Sequence, residues 1–451
     1  MSIFDVKNAY LNSEVDEEIY LSFPPGQRHR FPSDCDALRL RKGLYGIKQA
    51  GRLWQKTVTA FFNEIGLVST AYDPCIFKIN PELSKVDASI RSRFGDRLRE
   101  KFANVIVYVD DLVFLFDDAD LQQAFLDLIG ERFKVHAADT DELLGVRVVQ
   151  HADRIELSQA SKIRDVIVTA QLGDKQPMSN PCVPGWLERG EHEVDAEGVI
   201  AEKYRELVGK LHYIAEWTRP DIRLALMQVS RFCEPPKRAH TDALERIIRY
   251  LAGSIDKKLV YRRHTIDGEE STSIVLSGLG KSRDYDKSSS ARTARLHAFS
   301  DSDFAGDQVT RRSTSGSCIF ISGNLVAWRA KMQSLVTLSS TAAEYVALAS
   351  CAIEIEFLQS FLAAILPPRF VCSSEPPLIR SDNLSTIKWT ESEAVNKRNK
   401  HVDVKYHFLK ERVLDKQLRI THVATLDNVA DIMTKPLPRS LFLKHANALL
   451  E

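Results

Sequence analysis

Along residues 105–116, where the side chains of a strand would alternate between two faces, two runs of β-branched and aromatic residues meet at Asp110 and Asp111. Such runs favour strands, and two acids between them are typical of a hairpin bend. The alternation places Ile106, Tyr108 and Asp110 on one face, so we expect a carboxylate to follow a row of core residues to a sheet edge. A bound hard cation would offset the repulsion between the acids, whereas an ordinary polar turn is the alternative.

Helical spacing of apolar residues recurs over much of the first 254 positions. It predicts helices at 50–65, 121–133, 162–170, 204–217, 222–232 and 239–251. Strands are predicted around Asp5 and at 18–21, with a hairpin at 143–148 and 154–157. Residues 80–104 are charged and irregular, and are interpreted as an insertion. The polar stretch 265–295 is typical of a flexible linker.

A new unit is predicted from residue 296 onwards. Its predicted strands are 296–304, a hairpin of 317–322 and 325–328 across Gly323 and Asn324, and then 377–382 and 418–423. A long helix is expected at 341–362, between the third and fourth strands. Three antiparallel strands, a helix and two further strands predict a mixed α/β sheet.

The overall composition narrows the class of protein. A chain of 451 residues is expected to form two or three domains. The 61 Lys and Arg residues balance the 61 Asp and Glu residues, so only local patches can indicate nucleic-acid binding. Seven cysteines without a Cys-x-x-Cys pair predict neither a disulfide framework nor a zinc site. No signal peptide or apolar run of membrane-spanning length is identified, which predicts a soluble intracellular chain.

One local patch could contact nucleic acid. Residues 39–56 contain six Lys or Arg residues and no Asp or Glu, interleaved with aromatic and leucine side chains. Basic side chains among aromatics suit phosphate and base contacts. The alternative is a solvated helix face whose apolar side packs inward.

Four acids stand out in the C-terminal unit: Asp301, Glu344, Asp382 and Asp431. Two lie at predicted strand ends and two near helix starts, where a mixed sheet can gather them at one edge. Four carboxylates can bind two Mg²⁺ ions about 3.5–4 Å apart, one activating a water and the other stabilising the leaving oxygen.

Each of these acids also has a purely structural alternative. Glu344 could close a capping box from Thr341, and Asp382 could cap the helix that follows it. Asp431 could only occupy a first helical turn, where acids are favourable. Asp303, two residues after Asp301, could equally be the ligand.

Several ordered motifs resemble reverse transcriptases of the Ty1/copia class of LTR retrotransposons. The polymerase-like motifs are residues 5–11, 43–50 and Tyr-Val-Asp-Asp at 108–111, and residues 218–222 are similar to the connection region of that class. The motifs that resemble its ribonuclease H domain are 300–307, 311–316, 343–345, 381–383, 400–403 and 430–437. The resemblance therefore extends over nearly the whole chain.

The resemblance implies an α+β fold: a reverse-transcriptase palm (antiparallel sheet with helices) at 1–170, a helical thumb or connection at 171–264, the linker, and a ribonuclease H-like mixed α/β sheet at 296–440. It makes Asp5, Asp110 and Asp111 the polymerase metal triad. Tyr10 would exclude the ribose 2′-hydroxyl, with an ordinary strand aromatic as the alternative. Lys48 and Gln49 would face the template or the incoming nucleotide, and Leu144-Gly145 would form the primer-grip hairpin.

For the second domain, the resemblance makes Asp301, Glu344, Asp382 and Asp431 the catalytic tetrad, with His422 moving protons or product beside Asn428. Arg398 and Lys400 would contact the phosphates of a hybrid. The implied cofactors are two Mg²⁺ or Mn²⁺ ions per site. The implied partners are RNA template, DNA primer, RNA/DNA hybrid and dNTPs, with no membrane. The implied location is cytoplasmic, in virus-like particles, with nuclear access also open.

Two departures from the family pattern shape our expectations. The basic fingers segment that precedes the Asp5 motif in the family is not found, and Gly51 stands where the family usually has Pro. We therefore expect a polyprotein piece or truncated copy in which hybrid cleavage survives better than polymerisation. The alternatives are an inactive remnant that only binds nucleic acid or a partner polymerase subunit, and a nuclease repurposed by its host.

Overall fold

The computed structural model describes residues 1–138, 141–187, 194–262, 296–367, 375–391 and 403–451, with the side chains of 403–406 excepted. The chain forms two compact units, Met1–Thr140 with Ser360–Val371, and Asp141–Gln359 with Cys372–Glu451. The predicted linker, 265–295, lies outside the described residues. The predicted domain boundaries stay predictions.

The first unit is built on a six-stranded antiparallel sheet in the order β4-β5-β6-β7-β1-β8, with β2 and β3 forming a separate ribbon. Its strands are β1 Ser2–Val6, β2 Tyr20–Leu21, β3 Leu38–Arg39, β4 Leu67–Ser69, β5 Ile76–Ile79, β6 Ala103–Tyr108, β7 Asp111–Phe116 and β8 Val135–Ala137. Its helices are α1 Ala50–Ile65, α2 Ala88–Phe94 and α3 Ala119–Arg132. The predicted helix 50–65 and the hairpin at Asp110 are confirmed.

Two predictions for this unit are wrong. In β6 the buried face carries Val105 and Val107, while Ile106 is half-buried and Tyr108 is 54% exposed. The core lies on the opposite face of the strand because Val105 and Val107 pack in one cluster with Trp54 of α1. The irregular insertion at 80–104 contains α2, whose apolar residues are buried in the same cluster.

The second unit begins with a four-stranded antiparallel sheet, in the order β12-β11-β10-β9, and a set of helices. The strands are β9 Glu142–Leu143, β10 Val146–Gln150, β11 Arg154–Ser158 and β12 Leu259–Arg262. The helices are α4 Ala160–Thr169, α5 Val199–Glu202, α6 Tyr204–Trp217, α7 Arg223–Val229 and α8 Arg238–Ala252. The predicted helix 222–232 is divided, since 3₁₀ turns flank α7 on both sides.

The same unit continues into a five-stranded mixed sheet in the order β15-β14-β13-β16-β17. Strand β16 is parallel to both β13 and β17, and the other pairs are antiparallel. The strands are β13 Leu296–Asp303, β14 Thr314–Ile321, β15 Asn324–Met332, β16 Leu378–Ser381 and β17 Arg419–His422. The helices are α9 Ser340–Ile365, α10 Leu384–Glu391, α11 Asp403–Leu414 and α12 Arg439–Leu449. The predicted mixed sheet, and with it the α+β fold class, is confirmed.

The hairpin between β14 and β15 turns one residue earlier than predicted. Its two central residues are Ser322 and Gly323, with φ of 48° and 80°, and Asn324 already pairs with Ile321. Two positive φ values in succession belong to the turn type that matches the twist of a two-residue hairpin. The strand register therefore follows the turn geometry rather than the Gly-Asn dipeptide.

One hydrophobic core joins the helices of the second unit to the mixed sheet. It includes Leu211 and Ile214 of α6, Phe299 of β13 and Phe442 of α12. The indole nitrogen of Trp328 in β15 donates a hydrogen bond of 2.8 Å to the carbonyl of Ala215. Because this core is shared, the predicted connection helices and the mixed sheet belong to one packed body.

The sequence predicts no apolar run of membrane-spanning length, but helix α9 is long and apolar enough to be one. By length and composition alone, Ser340–Ile365 is one helix that could cross a membrane, among the residues that the structure describes. Its first four turns, however, are largely buried inside the second unit and include Glu344. The core helix of a globular domain satisfies the same test.

Candidate active sites

The backbone of the first unit brings Asp5, Asp110 and Asp111 to one end of its sheet. Asp5 of β1 lies opposite Asp111 of β7 in the antiparallel register. The amide of Val6 donates a 2.7 Å hydrogen bond to the carbonyl of Asp110, which ties the hairpin to β1. Val109 supplies the turn with a φ of 55°, and its carbonyl accepts a hydrogen bond from the indole of Trp54.

Two tyrosines lie beside these acids. The rings of Tyr10 and Tyr45 are 4.5 Å apart between centroids. Burial, followed by the charge of Asp110, by Tyr10 and by Asp5, raises the pKa of Tyr45. Burial, followed by Asp110 and Asp5, likewise raises the pKa of Asp111. These pKa shifts indicate that the two tyrosines and the three acids are close enough to interact electrostatically.

The basic stretch 39–56 is partly neutralised by the acidic segment that precedes it. Arg39 pairs with Glu18 at 3.0 Å, and Arg52 pairs with Asp16 at 2.9 Å. Gln49 donates a 3.4 Å hydrogen bond to Glu17, while Lys48 is exposed. The predicted contacts of Lys48 and Gln49 with a template or nucleotide stay predictions.

The second unit contains a tight carboxylate cluster, which we define as Asp301, Asp382 and Asp431. Their oxygens lie within 4.8 Å of one another, and among the described residues no other group of three or more potential metal ligands is as close. Asp301 is near the end of β13 and Asp382 directly follows β16. Because these two strands are parallel neighbours, their carboxyl ends meet at the same edge of the sheet.

The third member, Asp431, reaches the cluster through a 3₁₀ turn at Val429–Met433. Asn428 begins this turn: its amide donates to the carbonyl of Ser300 at 3.1 Å, and its side-chain oxygen accepts from the amide of Ala430 at 3.3 Å. Asn428 is fully buried. It braces the turn against β13, and its predicted substrate contact stays a prediction.

Glu344 of α9 lies next to the carboxylate cluster. Its Oε1 accepts a 3.3 Å hydrogen bond from the amide of Ser302, which follows Asp301. Burial, followed by the charges of Asp301 and Asp382, raises the pKa of Glu344 to about 9. Without a bound cation this carboxyl group is therefore protonated at neutral pH.

The capping alternatives for Glu344 and Asp382 are not supported, whereas Asp431 does lie in the first turn of its 3₁₀ helix as well as in the cluster. Helix α9 is capped by Ser339, whose hydroxyl accepts from the amide of Ala342 at 3.1 Å, so Glu344 is not part of a capping box. Helix α10 is capped by Asn383, which accepts from the amide of Thr386 at 3.0 Å. Asp382 is thus left available to the cluster. Asp303 packs against Gly306 and is not a member of the cluster.

A cation from the chain itself already lies at the cluster. The Nζ atom of Lys435 is 3.1 Å from Asp431 Oδ1 and 3.4 Å from Asp301 Oδ2, and the hydroxyl of Thr434 donates to Asp301. Burial, followed by the charge of Asp301, raises the pKa of Asp431 to about 7, although Lys435 opposes this shift. Hard carboxylate oxygens arranged around a positive charge fit Mg²⁺ or Mn²⁺.

The remaining predicted site residues are placed as follows. His422 is exposed at the end of β17, opposite Ser381 in the register and thus one residue from Asp382. Arg398 and Lys400 lie outside the described residues. The Leu144-Gly145 pair forms the turn between β9 and β10, with φ of 53° and 73°. Sequence reasoning missed Lys435, although its position four residues after Asp431 was an available signal.

Gly316 of β14 is a second residue that sequence reasoning missed. It pairs with Asp301, and a Cβ atom there would lie 2.6 Å from the Thr434 methyl and 2.8 Å from Met433 Cβ. We expect Gly316→Ala to push the turn carrying Asp431 off the sheet and to weaken Mn²⁺ binding by about tenfold, measured by calorimetry. Gly209→Ala is the matched control, since a Cβ atom at that position would have no neighbouring atom within 4 Å. Equal affinity in both variants would contradict the prediction.

The raised pKa of Glu344 makes the stability of the metal-free protein depend on pH. Unfolded glutamate releases its proton near pH 4.5, whereas the folded group retains it to about pH 9. The folded state binds more protons between these values, so stability is greatest at the acidic end and falls as the pH rises towards 9. Thermal unfolding in EDTA at pH 5 to 9 should show this fall, and Glu344→Gln should flatten it. An equal slope in both proteins would contradict the assignment.

Comparisons with known proteins agree with the motifs. Residues 1–184 match the family model described as reverse transcriptase (RNA-dependent DNA polymerase). A retrovirus-related Pol polyprotein from transposon RE1 of Arabidopsis thaliana is 31% identical over 98% of this chain and 27% of its own length. The Pol polyprotein from transposon TNT 1-94 of Nicotiana tabacum is 29% identical over 97% of this chain and 30% of its length. The chain thus spans under a third of the length of these curated relatives.

Similarity to solved structures is weaker. The foamy viral protease-reverse transcriptase in complex with double-stranded DNA has a TM-score of 0.48 and 10% identity, covering 94% of this chain and 56% of that chain.

Proposed function

We propose a function for this chain on the basis of its family. The chain belongs to the reverse transcriptases of Ty1/copia-type retrotransposon Pol polyproteins. It would be an RNA-directed DNA polymerase and a ribonuclease H that cleaves the RNA strand of RNA/DNA hybrids. Each activity would have its own site for two divalent ions, Mg²⁺ or Mn²⁺. The observation that carries the nuclease activity is the carboxylate cluster, with ligand oxygens within 4.8 Å and Glu344 beside it.

At the nuclease site, Asp301, Asp382 and Asp431 would hold the ions. Bound ions would supply an activated water and stabilise the leaving oxygen of the scissile phosphate. The hydrogen bond from the amide of Ser302 fixes the orientation of Glu344, and Thr434 fixes that of Asp301. His422, exposed at the end of β17 and one residue from Asp382 in the register, would help to move protons or product. Burial of the acids strengthens every charge interaction at the reacting phosphate.

At the polymerase site, support comes from the family match to residues 1–184 and from the register that sets Asp5 opposite Asp111. Asp5, Asp110 and Asp111 would hold the ions that assist attack of a primer hydroxyl on a dNTP. Tyr10, whose ring is tilted against that of Tyr45, would exclude the ribose 2′-hydroxyl. Primer extension on an RNA template should require these acids, so Asp110→Asn should abolish extension while hybrid cleavage continues.

The experiment that tests the nuclease proposal uses the purified chain and a labelled RNA/DNA hybrid. Cleavage of the RNA strand is expected with Mg²⁺ or Mn²⁺, and none with EDTA. The same RNA as a single strand, and a DNA duplex of the same sequence, serve as substrates that should stay intact. Binding of the hybrid without cleavage in either metal would support the alternative of an inactive remnant that only binds nucleic acid.

A further inference from the structure

Lys435 is held over the carboxylate cluster by its own backbone. Its amide donates a 3.2 Å hydrogen bond to the carbonyl of Asp431, which closes a turn of five residues. This turn brings the ammonium group to 3.1 Å from Asp431 and 3.4 Å from Asp301. The side chain is 33% exposed, whereas both carboxylates are almost completely buried. The lysine therefore approaches the cluster from the solvent side.

Acidic side chains are concentrated around this position. The three carboxylates of the cluster, Glu344 and Asp303 all lie on the adjoining ends of β13, β16, α9 and the turn. Buried carboxylates this close to one another need a positive partner, because burial removes the water that would otherwise screen them. Lys435 balances part of this charge through ion pairs with two of the three members of the cluster.

We propose that the ammonium group of Lys435 is the counter-ion of the metal-free nuclease site and that it leaves Asp301 and Asp431 when a divalent cation binds there. The inference deepens the proposed nuclease function and rests on it for the nature of the ligand. A divalent ion needs the oxygens that the ammonium contacts, and two cations on the same oxygens repel each other. The flexible stem of lysine and its solvent-side position allow the group to move into water.

The proposal has a direct consequence for metal affinity. Because the divalent ion must displace a resident charge, Lys435 lowers the affinity of the site for metal and at the same time stabilises the folded apo protein. Removing the ammonium group should therefore change these two properties in opposite directions. A lysine that only contacted substrate phosphate would change neither in the absence of nucleic acid.

Calorimetric titration with Mn²⁺ alone, without nucleic acid, tests the first property. Lys435→Met keeps an unbranched side chain that is one atom shorter and removes its charge, and we expect Mn²⁺ to bind about tenfold more tightly. Lys435→Arg retains the charge and should keep the wild-type affinity. Lys444→Met is the matched control, since Lys444 pairs with Asp427 at 2.6 Å, outside the cluster. The Asp301→Asn variant lacks one carboxylate of the cluster, so its titration measures the Mn²⁺ that binds at other sites.

Thermal unfolding tests the second property. In EDTA, Lys435→Met should unfold about 2–4 °C below the wild type, because the clustered carboxylates lose their partner. In saturating Mn²⁺ the difference should disappear. A variant that is less stable by the same amount with and without Mn²⁺ would show a purely structural role and overturn the proposal.

The remaining outcomes separate this proposal from the nuclease proposal. Unchanged or weaker Mn²⁺ binding by Lys435→Met overturns the counter-ion role, whether or not hybrids are cleaved. If neither the wild type nor Lys435→Met binds Mn²⁺, the role is also overturned. If the wild type binds Mn²⁺ but does not cleave hybrids, the nuclease proposal fails, while the expected gain in the affinity of Lys435→Met still supports the counter-ion.

Discussion

Asp301→Asn is expected to reduce metal-dependent cleavage of the RNA strand at least about 1,000-fold, while primer extension on an RNA template continues. Asp301 is buried, shares the cluster with Asp382 and Asp431, and accepts a hydrogen bond from Thr434. Asparagine keeps the shape of the side chain but removes the charge that holds a divalent ion. Such ions supply several kcal/mol of transition-state stabilisation, which corresponds to a loss of this size. The measurement is single-turnover cleavage of a labelled hybrid.

Asp303→Asn is the matched control for this experiment. Asp303 lies on the same strand, two residues away, but its carboxylate packs against Gly306 outside the cluster. We expect less than about a tenfold loss of cleavage in this variant. The unfolding temperature of Asp301→Asn in EDTA should not fall, because the substitution removes one of several like charges. Loss of cleavage in Asp303→Asn but not in Asp301→Asn would show that the wrong acid had been assigned.

The second large effect is expected on stability. Arg219→Met should lower the free energy of unfolding by about 3–5 kcal/mol, because it leaves a buried carboxylate without its partner. Arg219 and Asp221 are fully buried and form two hydrogen bonds, of 3.0 and 2.8 Å. Arg219 also donates to the carbonyl of Ser254 at 2.8 Å, and Tyr250 donates to Asp221. This network joins the turn before α7 to the end of α8.

Urea unfolding followed by circular dichroism measures this loss as a shift of the midpoint. Arg205→Met is the matched control: Arg205 pairs with Glu234 on the surface, where both side chains are largely exposed, and its midpoint should not move. The double variant Arg219→Met with Asp221→Leu should recover part of the loss, because no unpaired charge then remains. Equal midpoints for Arg219→Met and Arg205→Met would contradict the prediction.

The Arg219 network also explains a motif that the chemistry does not use. Residues 218–222 resemble the connection region of the family, and the sequence pattern shows only that they interrupt two helices. In the structure they build the Arg219–Asp221 pair, and the hydroxyl of Thr218 donates to Gln159 at 2.8 Å. The motif is therefore accounted for by packing inside the second unit, independently of either candidate site.

Local patterns in the chain were sufficient to predict most of the helices, the hairpin at Asp110, the mixed sheet and the acids of the carboxylate cluster. These features depend on the spacing of apolar residues and on short motifs, which a single chain displays directly. Helix α1, at Ala50–Ile65, is a clear example, since its apolar residues recur at helical spacing and Gly66, with a φ of 91°, ends it.

Only the tertiary structure decides which residues are buried or clustered when this depends on residues that are distant in the sequence. The fold selected Val105 and Val107 rather than Ile106 for the core, because the burial of a strand face depends on what packs against it. It also separated Asp303 from the cluster and placed Lys435 over the carboxylates. The amino-acid sequence thus supplies the charged groups and their local turns, while non-local packing determines which of them lose water and must find partners.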